Sequence, residues 1–262
     1  MTVNHLTFLP DRTSKPRQNG ISMVMDNGLS VREAEDFVET AGHLADFVKL
    51  GFGTSVVGNK VKEKVKVYQN AKIRVYAGGT LFEAFAVRNL FDDYLRYIDK
   101  LGLDSVEISD GSIIMEHDVK CEYIHKLAKK YTVLSEIGSK DSEIIIAPGR
   151  WIKMMQKELQ AGSFKVIGEA RESGNVGIYR STGKAHVSLI KKILAKVQPD
   201  KLLWEAPLKS QQVWFINNFG ANVNLGNIAP SELIPLETLR LGLRGETFFS
   251  FLPPELKKFQ PK

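Results

Sequence analysis

From Gly20 onward, short apolar runs alternate with longer amphipathic stretches. The runs are ISMVMD, ADFVKLG, KIRVYAGGT, DSVEISDG, TVLSEIG, FKVIGEAR, KLLWE and ANVNL. The stretches between them place apolar residues at helical spacing: behind Ser30, a good N-cap, Val31, Ala34, Phe37, Val38 and Ala41 share one face. Further helices are expected over residues 59–69, up to about Leu101, and over 117–130, 149–161 and 185–197. Short runs bounded by glycine and separated by helices of about 10–15 residues predict parallel βαβ units. Eight of them predict an α/β fold closed as a single (β/α)8 TIM barrel, which typically needs about 250 residues. An open doubly wound sheet is disfavoured, because no GxGxxG follows the first run. The 262-residue chain is therefore expected to form one domain, with an irregular arm over residues 1–19 and a tail over 248–262. The arm carries Arg12, Lys15 and Arg17; a basic tail of this kind is usually solvated, and the alternative is that it folds across a barrel opening and lends positive charge there.

Composition narrows the setting. Hydrophobic content of 43% and charged content of 25% are ordinary for a soluble globular protein. The net charge of +6 sits largely in GNKVKEKVKVYQN and HKLAKKY, where lysines alternate with acids or apolar residues in the manner of solvated helix faces. With no aromatic-interleaved basic patch, nucleic acid is not an expected partner. Cys121 is the only cysteine, which excludes an intrachain disulfide and fits a reducing compartment. The first twenty residues lack the apolar core of a signal peptide, and no run approaches the roughly 18 apolar residues of a membrane span. A cytoplasmic protein is expected.

The chemistry lies at the ends of the runs. Asp26, Glu107, Asp110, Glu136, Glu169 and Glu205 all fall at carboxyl ends of expected strands, the ends that converge on the catalytic face of a β/α barrel. A single acid there is explained by capping of the following helix, but five of eight strands ending this way is not. Converging carboxylates repel unless a cation or proton intervenes, and an all-oxygen site suits a hard ion such as Mg²⁺. HExxH and CxxC are absent, and His43, His117, His125 and His186 fall in or beside helical stretches, so zinc is not expected. Lys49 lies one residue before the end of its run, where it serves as a general base, an anion clamp or a paired interior charge. Arg171, Lys140 and Lys209 are further cations near this face. Asn224-Leu225-Gly226-Asn227, expected to follow the eighth run, occupies the usual phosphate position of the fold, and Gly53-Thr54-Ser55 is a weaker candidate. These residues point to a small anionic, phosphorylated substrate beside a carboxylate-held Mg²⁺, and they do not name a reaction.

Several longer strings do. KPRQNGISMVMDNG, DFVKLGFGTS, VYAGGTLFE, GLDSVEISDG, SEIG, GEARESG, LLWEAPLKSQQVWFI, NVNLGNI and LETLRLGLRGET resemble the phosphosulfolactate synthase family in order and spacing, from about Leu9 to Thr247. The resemblance implies a Mg²⁺-dependent β/α-barrel lyase that adds sulfite to phosphoenolpyruvate by way of an enolate-type intermediate. On that reading Glu107, Glu136 and Glu169 are the expected metal ligands, and Asp26 and Glu205 are further catalytic groups beside them. Lys49 is the expected acid, while Arg171, Asn224, Asn227, Arg17 and Ser55 hold phosphate or sulfite. Two positions depart from the family pattern. Asn27 stands where Asp-Lys-Gly is frequent, and Ser139-Lys140 stands where Lys-Lys is frequent. The family also has plant relatives associated with heat stress. The alternative functions are therefore a related barrel enzyme acting on another phosphorylated acid, or a non-catalytic stress-associated protein. Barrels of this kind commonly self-associate, and Phe248, Phe249 and Phe251 offer apolar surface, so a homo-oligomer is expected.

Overall fold

The computed structural model describes residues 6–138, 146–170 and 173–261. Its elements alternate as expected. The first half runs β1 (Ser22–Asp26), α1 (Val31–Ala41), β2 (Phe47–Leu50), α2 (Thr54–Val57), α3 (Val61–Asn70), β3 (Arg74–Ala77), α4 (Gly79–Ala86), α5 (Phe91–Leu101) and β4 (Ser105–Ile108). The second runs α6 (His117–Leu127), β5 (Thr132–Ile137), α7 (Pro148–Ala161), β6 (Lys165–Gly168), α8 (Val187–Leu194), β7 (Leu202–Glu205), α9 (Lys209–Phe219), β8 (Leu225–Ile228) and α10 (Leu233–Arg240). Ser30 caps α1 as read from the sequence, in a reciprocal capping box with Glu33.

All eight strands are parallel and pair in the order β3-β2-β1-β8-β7-β6-β5-β4, a nearly closed (β/α)8 barrel. The remaining seam lies between β3 and β4, and side chains bridge it. The Val75 amide donates to Asp104 Oδ1 at 3.1 Å, and the Gly79 amide donates to Glu107 Oε1 at 2.6 Å. A carboxylate here accepts bonds that a strand-to-strand ladder would otherwise satisfy.

Strand side chains alternate inward and outward. The outward set (Val24, Val48, Val75, Val106, Val133 and Val166 among them) packs under the helices as the larger core. The inward set is layered along the barrel axis. Met23, Phe47, Tyr76, Leu134, Ile167 and Leu203 fill the lower interior. Two residues further along four of these strands, on the same inner face, come Lys49, Glu136, Glu169 and Glu205. The repeated order of apolar, outward, ionisable therefore builds an apolar plug with a layer of lysine and glutamate side chains above it.

The amino-terminal arm runs along the lower opening. Arg12 Nε meets Glu237 Oε1 at 2.8 Å, Arg17 Nε meets Asp46 Oδ1 at 3.0 Å, and Lys165 Nζ donates to the Gln18 carbonyl at 2.9 Å. It is not a free solvated tail but crosses a barrel opening, the one opposite the carboxylates. The eighth strand also begins later than read: Ala221–Asn224 precedes it, with the strand at Leu225–Ile228. The carbonyls of Ala221 and Val223 are taken by the buried Arg240 guanidinium at 2.6 and 2.7 Å, so their partners are a side chain and not a ladder. No helix among the described residues is long and apolar enough to cross a membrane.

Candidate active site

At the carboxyl ends of the strands a cavity of about 430 Å³ opens above the apolar plug. Lys49 reaches into it from β2 and is nearly buried. Its Nζ lies 2.9 Å from Glu107 Oε1, 3.4 Å from Glu136 Oε2 and 3.5 Å from Glu205 Oε1. Burial opposes the charge on Lys49, but these three carboxylates outweigh it and hold the group as an ammonium. Burial pushes Glu107 up to about 7 even though Lys49 pulls it back, and burial likewise raises Glu205. The neighbouring Tyr76 phenol is also pushed up, by burial and then by Glu107.

Glu136, Glu169 and Glu205 each present an oxygen such that the three oxygens lie within 4.8 Å of one another. The Ala170 amide donates to Glu205 Oε2 at 3.0 Å, which leaves Oε1 facing the cluster. Glu107 Oε2 is buried without a hydrogen-bond partner among the described residues. Among the described residues, four carboxylates and one ammonium line this wall, a net of three negative charges when all are ionised, and buried carboxylates tolerate such a balance only with a proton or cation present. The donor set is all oxygen, so the residues fit a hard divalent cation.

The sequence-derived candidates separate clearly in space. Lys49, Glu107, Glu136, Glu169, Glu205 and Asn227 all line the cavity. Within that group the structure pairs Glu107 with Lys49 and gathers Glu205, not Glu107, with Glu136 and Glu169. Asp26 lies outside the cavity lining. Its Oδ1 accepts the Gly28 and Leu29 amides at 2.8 Å, and its Oδ2 meets Tyr68 Oη at 2.9 Å and Lys64 Nζ at 2.7 Å, so it braces the turn between β1 and α1. Asn224 sits at the start of β8, at the lower end of the barrel. It accepts the Ile21 amide at 3.0 Å and donates to the Leu202 carbonyl at 2.9 Å, far from a phosphate position. Arg17 is at the lower opening with Asp46. Ser55 is buried in α2 and is not part of the cavity wall. Lys209 lies at the exposed start of α9, paired with Glu246. Arg171, Ser139 and Lys140 lie outside the described residues.

Other functional parts carried only a faint sequence signal. Gly79 starts α4 so close to β4 that a Cβ there would stand 2.9 Å from Glu107 Oε1, which is why a second glycine follows Gly78. Phe52 adopts a left-handed backbone (φ 48°), is 55% exposed and forms part of the cavity wall. Gln211 braces the loop between β6 and α8, donating to the carbonyls of Gly174 at 2.7 Å and Gly183 at 3.2 Å. From that loop, Ser173 reaches the cavity and Tyr179 Oη donates to the Glu205 carbonyl at 2.7 Å.

A family model described as (2R)-phospho-3-sulfolactate synthase (ComA) matches residues 10–246. The chain belongs to the phosphosulfolactate synthase family. Over 252 residues it is 40% identical to the phosphosulfolactate synthase of Methanothermobacter thermautotrophicus, covering 94% of this chain and 98% of the relative. A more distant match, 20% identical and covering 88% of each chain, is to Protein HEAT-STRESS-ASSOCIATED 32 of Arabidopsis thaliana. Among solved structures, 3-hexulose-6-phosphate synthase from Salmonella typhimurium superposes with a TM-score of 0.52 at 16% identity, covering 86% of this chain and all (100%) of that one. That likeness concerns the fold alone. Family membership makes the chain an enzyme of the lyase-type synthase class, and the matched range 10–246 contains every described residue that lines this cavity.

Proposed function

We propose that the protein is a phosphosulfolactate synthase, adding sulfite to phosphoenolpyruvate with the help of Mg²⁺. The observation that carries the reading is the meeting of Glu136, Glu169 and Glu205 oxygens beside the buried Lys49 ammonium, at the catalytic end of the barrel.

In this reaction the sulfite sulfur lone pair forms a bond to the methylene carbon of the enol phosphate. The double-bond electrons move onto the carbon bearing the phosphate and into the adjoining carboxylate, and a proton then adds to that carbon. Glu136, Glu169 and Glu205 would hold the Mg²⁺, whose positive charge stabilises negative charge that develops on the substrate carboxylate. Lys49 would deliver the proton from Nζ. Glu107 fixes the Lys49 chain at 2.9 Å and is itself fixed by the Gly79 amide, so the donor is aimed before substrate arrives. Asn227 lines the mouth from β8, the strand after which this fold commonly binds phosphate, and would hold the phosphate group. Phe52 and Ser173 would close the rim and exclude water from the carbanionic carbon. A cytoplasmic enzyme acting on small anions, without nucleic acid or membrane partners and assembled as a homo-oligomer, is the setting we propose for this activity.

Incubation of purified protein with phosphoenolpyruvate, sulfite and Mg²⁺, followed by phosphorus and proton NMR, is expected to show phosphosulfolactate with the new C–H at the phosphate-bearing carbon. Absence of product across pH and divalent metal ions sinks the reading.

A further inference from the structure

One fully buried lysine takes no part in the chemistry above. Lys120 projects from α6 into the interior, in the inward stripe it shares with Ile124 and Leu127, and is 0% exposed. An ammonium has three N–H donors, and here each has an acceptor. Nζ lies 2.6 Å from the Glu136 main-chain carbonyl, 2.8 Å from Asp110 Oδ1 and 2.9 Å from Glu158 Oε1. A saturated tripod of this kind has one geometry, whereas a solvated lysine head has many.

The three acceptors come from three separate elements. Glu136 is near the end of β5, Asp110 follows β4, and Glu158 is on α7, where its Oε1 also meets His117 Nε2 at 3.1 Å. Two of the three lead to the cavity. The Glu136 carbonyl belongs to the residue whose carboxylate contacts Lys49 and joins the acidic trio. Asp110 is three residues past Glu107 and two before Ser112, both of which line the cavity. Lys120 therefore ties the upper ends of β4 and β5 to each other and to α7 from behind, without lining the cavity itself.

We infer that Lys120 is a positioning residue, setting the height and orientation of Glu136 and, through Asp110, of the β4 end that carries Glu107. The physical reason is the stiffness required of an acidic cluster. Carboxylates that repel will splay unless their backbones are held, and a ligand set within 4.8 Å tolerates little splaying. Charge-assisted bonds to a main-chain carbonyl and two carboxylates supply that hold where water does not reach. Outer groups of this kind typically change metal affinity or activity by about 10- to 100-fold when removed. The inference rests on the acidic trio being the reacting centre.

The test is the double variant Lys120→Met/Glu158→Leu. It replaces the buried pair by apolar groups of similar size, a change that buried ion pairs often tolerate without loss of stability. Two quantities are read: divalent-cation affinity by calorimetric titration with MgCl₂ or MnCl₂, and steady-state kcat and KM for phosphoenolpyruvate. Both cation affinity and kcat are expected to fall by about 10- to 100-fold, with KM for phosphoenolpyruvate unchanged because Lys120 does not touch the cavity. Asp110→Asn, which keeps an oxygen acceptor in place, is expected to retain most of the activity that Asp110→Ala loses. A folded double variant with wild-type cation affinity and kcat overturns the inference. If the double variant does not fold, Asp110→Ala at its partly exposed position decides by the same two readouts. Wild-type protein that binds no divalent cation overturns the metal reading instead, and kcat then still reports whether Lys120 positions the site.

Discussion

Lys49 Nζ and Glu107 Oε1 meet at 2.9 Å across the one junction of the barrel that lacks a strand-to-strand ladder. Lys49 belongs to β2 and Glu107 to β4, with β3 between them, so the pair spans the seam from the inside. The same Glu107 oxygen accepts the Gly79 amide, so one carboxylate helps close the barrel and holds the lysine at the centre of the site.

Removing the lysine should separate its two roles. Lys49→Met is expected to lower kcat by about 10²- to 10⁴-fold, the usual contribution of a positioned proton donor. It also leaves Glu107, Glu136 and Glu205 buried without their cation, at a cost of about 3–5 kcal/mol in metal-free protein. Thermal melts with and without MgCl₂ check this: the variant should gain more from added metal than the wild type does.

Glu107 gives a pH signature. Its carboxyl sits at about 7 in the fold because burial penalises the charge, against about 4.3 in an unfolded chain. Between those values the folded state binds the extra proton, so this group makes stability fall as pH rises from about 4.3 through 7, with no further loss above. Glu107→Gln should flatten that slope in denaturation series run from pH 4.5 to 8. The catalytic counterpart is an inflection in kcat/KM near pH 7 that the variant lacks, because ionised Glu107 is what clamps Lys49.

Metal removal should be visible without any assay. If Glu136, Glu169 and Glu205 bind Mg²⁺ in the folded state alone, an excess of 100 times Kd stabilises the protein by about 2.7 kcal/mol. EDTA should lower the melting temperature of the wild type and leave that of Glu169→Gln/Glu205→Gln almost unmoved. Differential scanning calorimetry at matched ionic strength measures both.

Asp26 should behave as a structural residue despite its place at a strand end. Asp26→Asn weakens its bonds to Lys64 and Tyr68, for a loss of about 1–3 kcal/mol in urea denaturation. The expected kcat is that of the wild type, because Asp26 is not part of the cavity wall.

Gln211→Ala removes both bonds to the loop carrying Ser173 and Tyr179. The expected result is a stability loss of about 1–2 kcal/mol with a raised KM for phosphoenolpyruvate, since the loop reaches the cavity rim. Steady-state kinetics together with limited proteolysis near residues 173–186 check it.

Much of the site was legible because strand periodicity is local. In Phe47-Val48-Lys49, Leu134-Ser135-Glu136 and Leu203-Trp204-Glu205, an apolar residue and a charged residue two places on must share a face. The sequence placed Lys49, Glu136 and Glu205 at or next to strand ends, and this alternation is why their side chains turn into the barrel mouth. The strand-end reading failed at Asn224: the run ANVNL alternates as a strand does, but the carbonyls of Ala221 and Val223 are taken by Arg240 and the strand begins only at Leu225. Asp26 was read correctly at a strand end, but it lies two places after Val24 and so shares the outward face, turned from the cavity toward the helices. Lys64 and Tyr68 lie on α3, and no local pattern reports that this helix packs its polar groups onto the β1 turn.

The sequence alone determined the eight-fold alternation, the acids at the strand ends, and membership of the family through strings such as EAPLKSQQ and VNLGNI. The tertiary structure alone decided which acids meet. Lys49 contacts Glu136 and Glu205 across 87 and 156 residues of chain, and barrel closure groups Glu205 with Glu136 and Glu169 while giving Glu107 to Lys49. Lys120 is the same lesson in reverse. Its spacing puts it in the buried stripe of α6, yet only the packed ends of β4, β5 and α7 supply three acceptors for its charge. Periodicity fixes the direction a side chain points, but its neighbours depend on strand stagger and helix docking, which are set by the whole closed barrel.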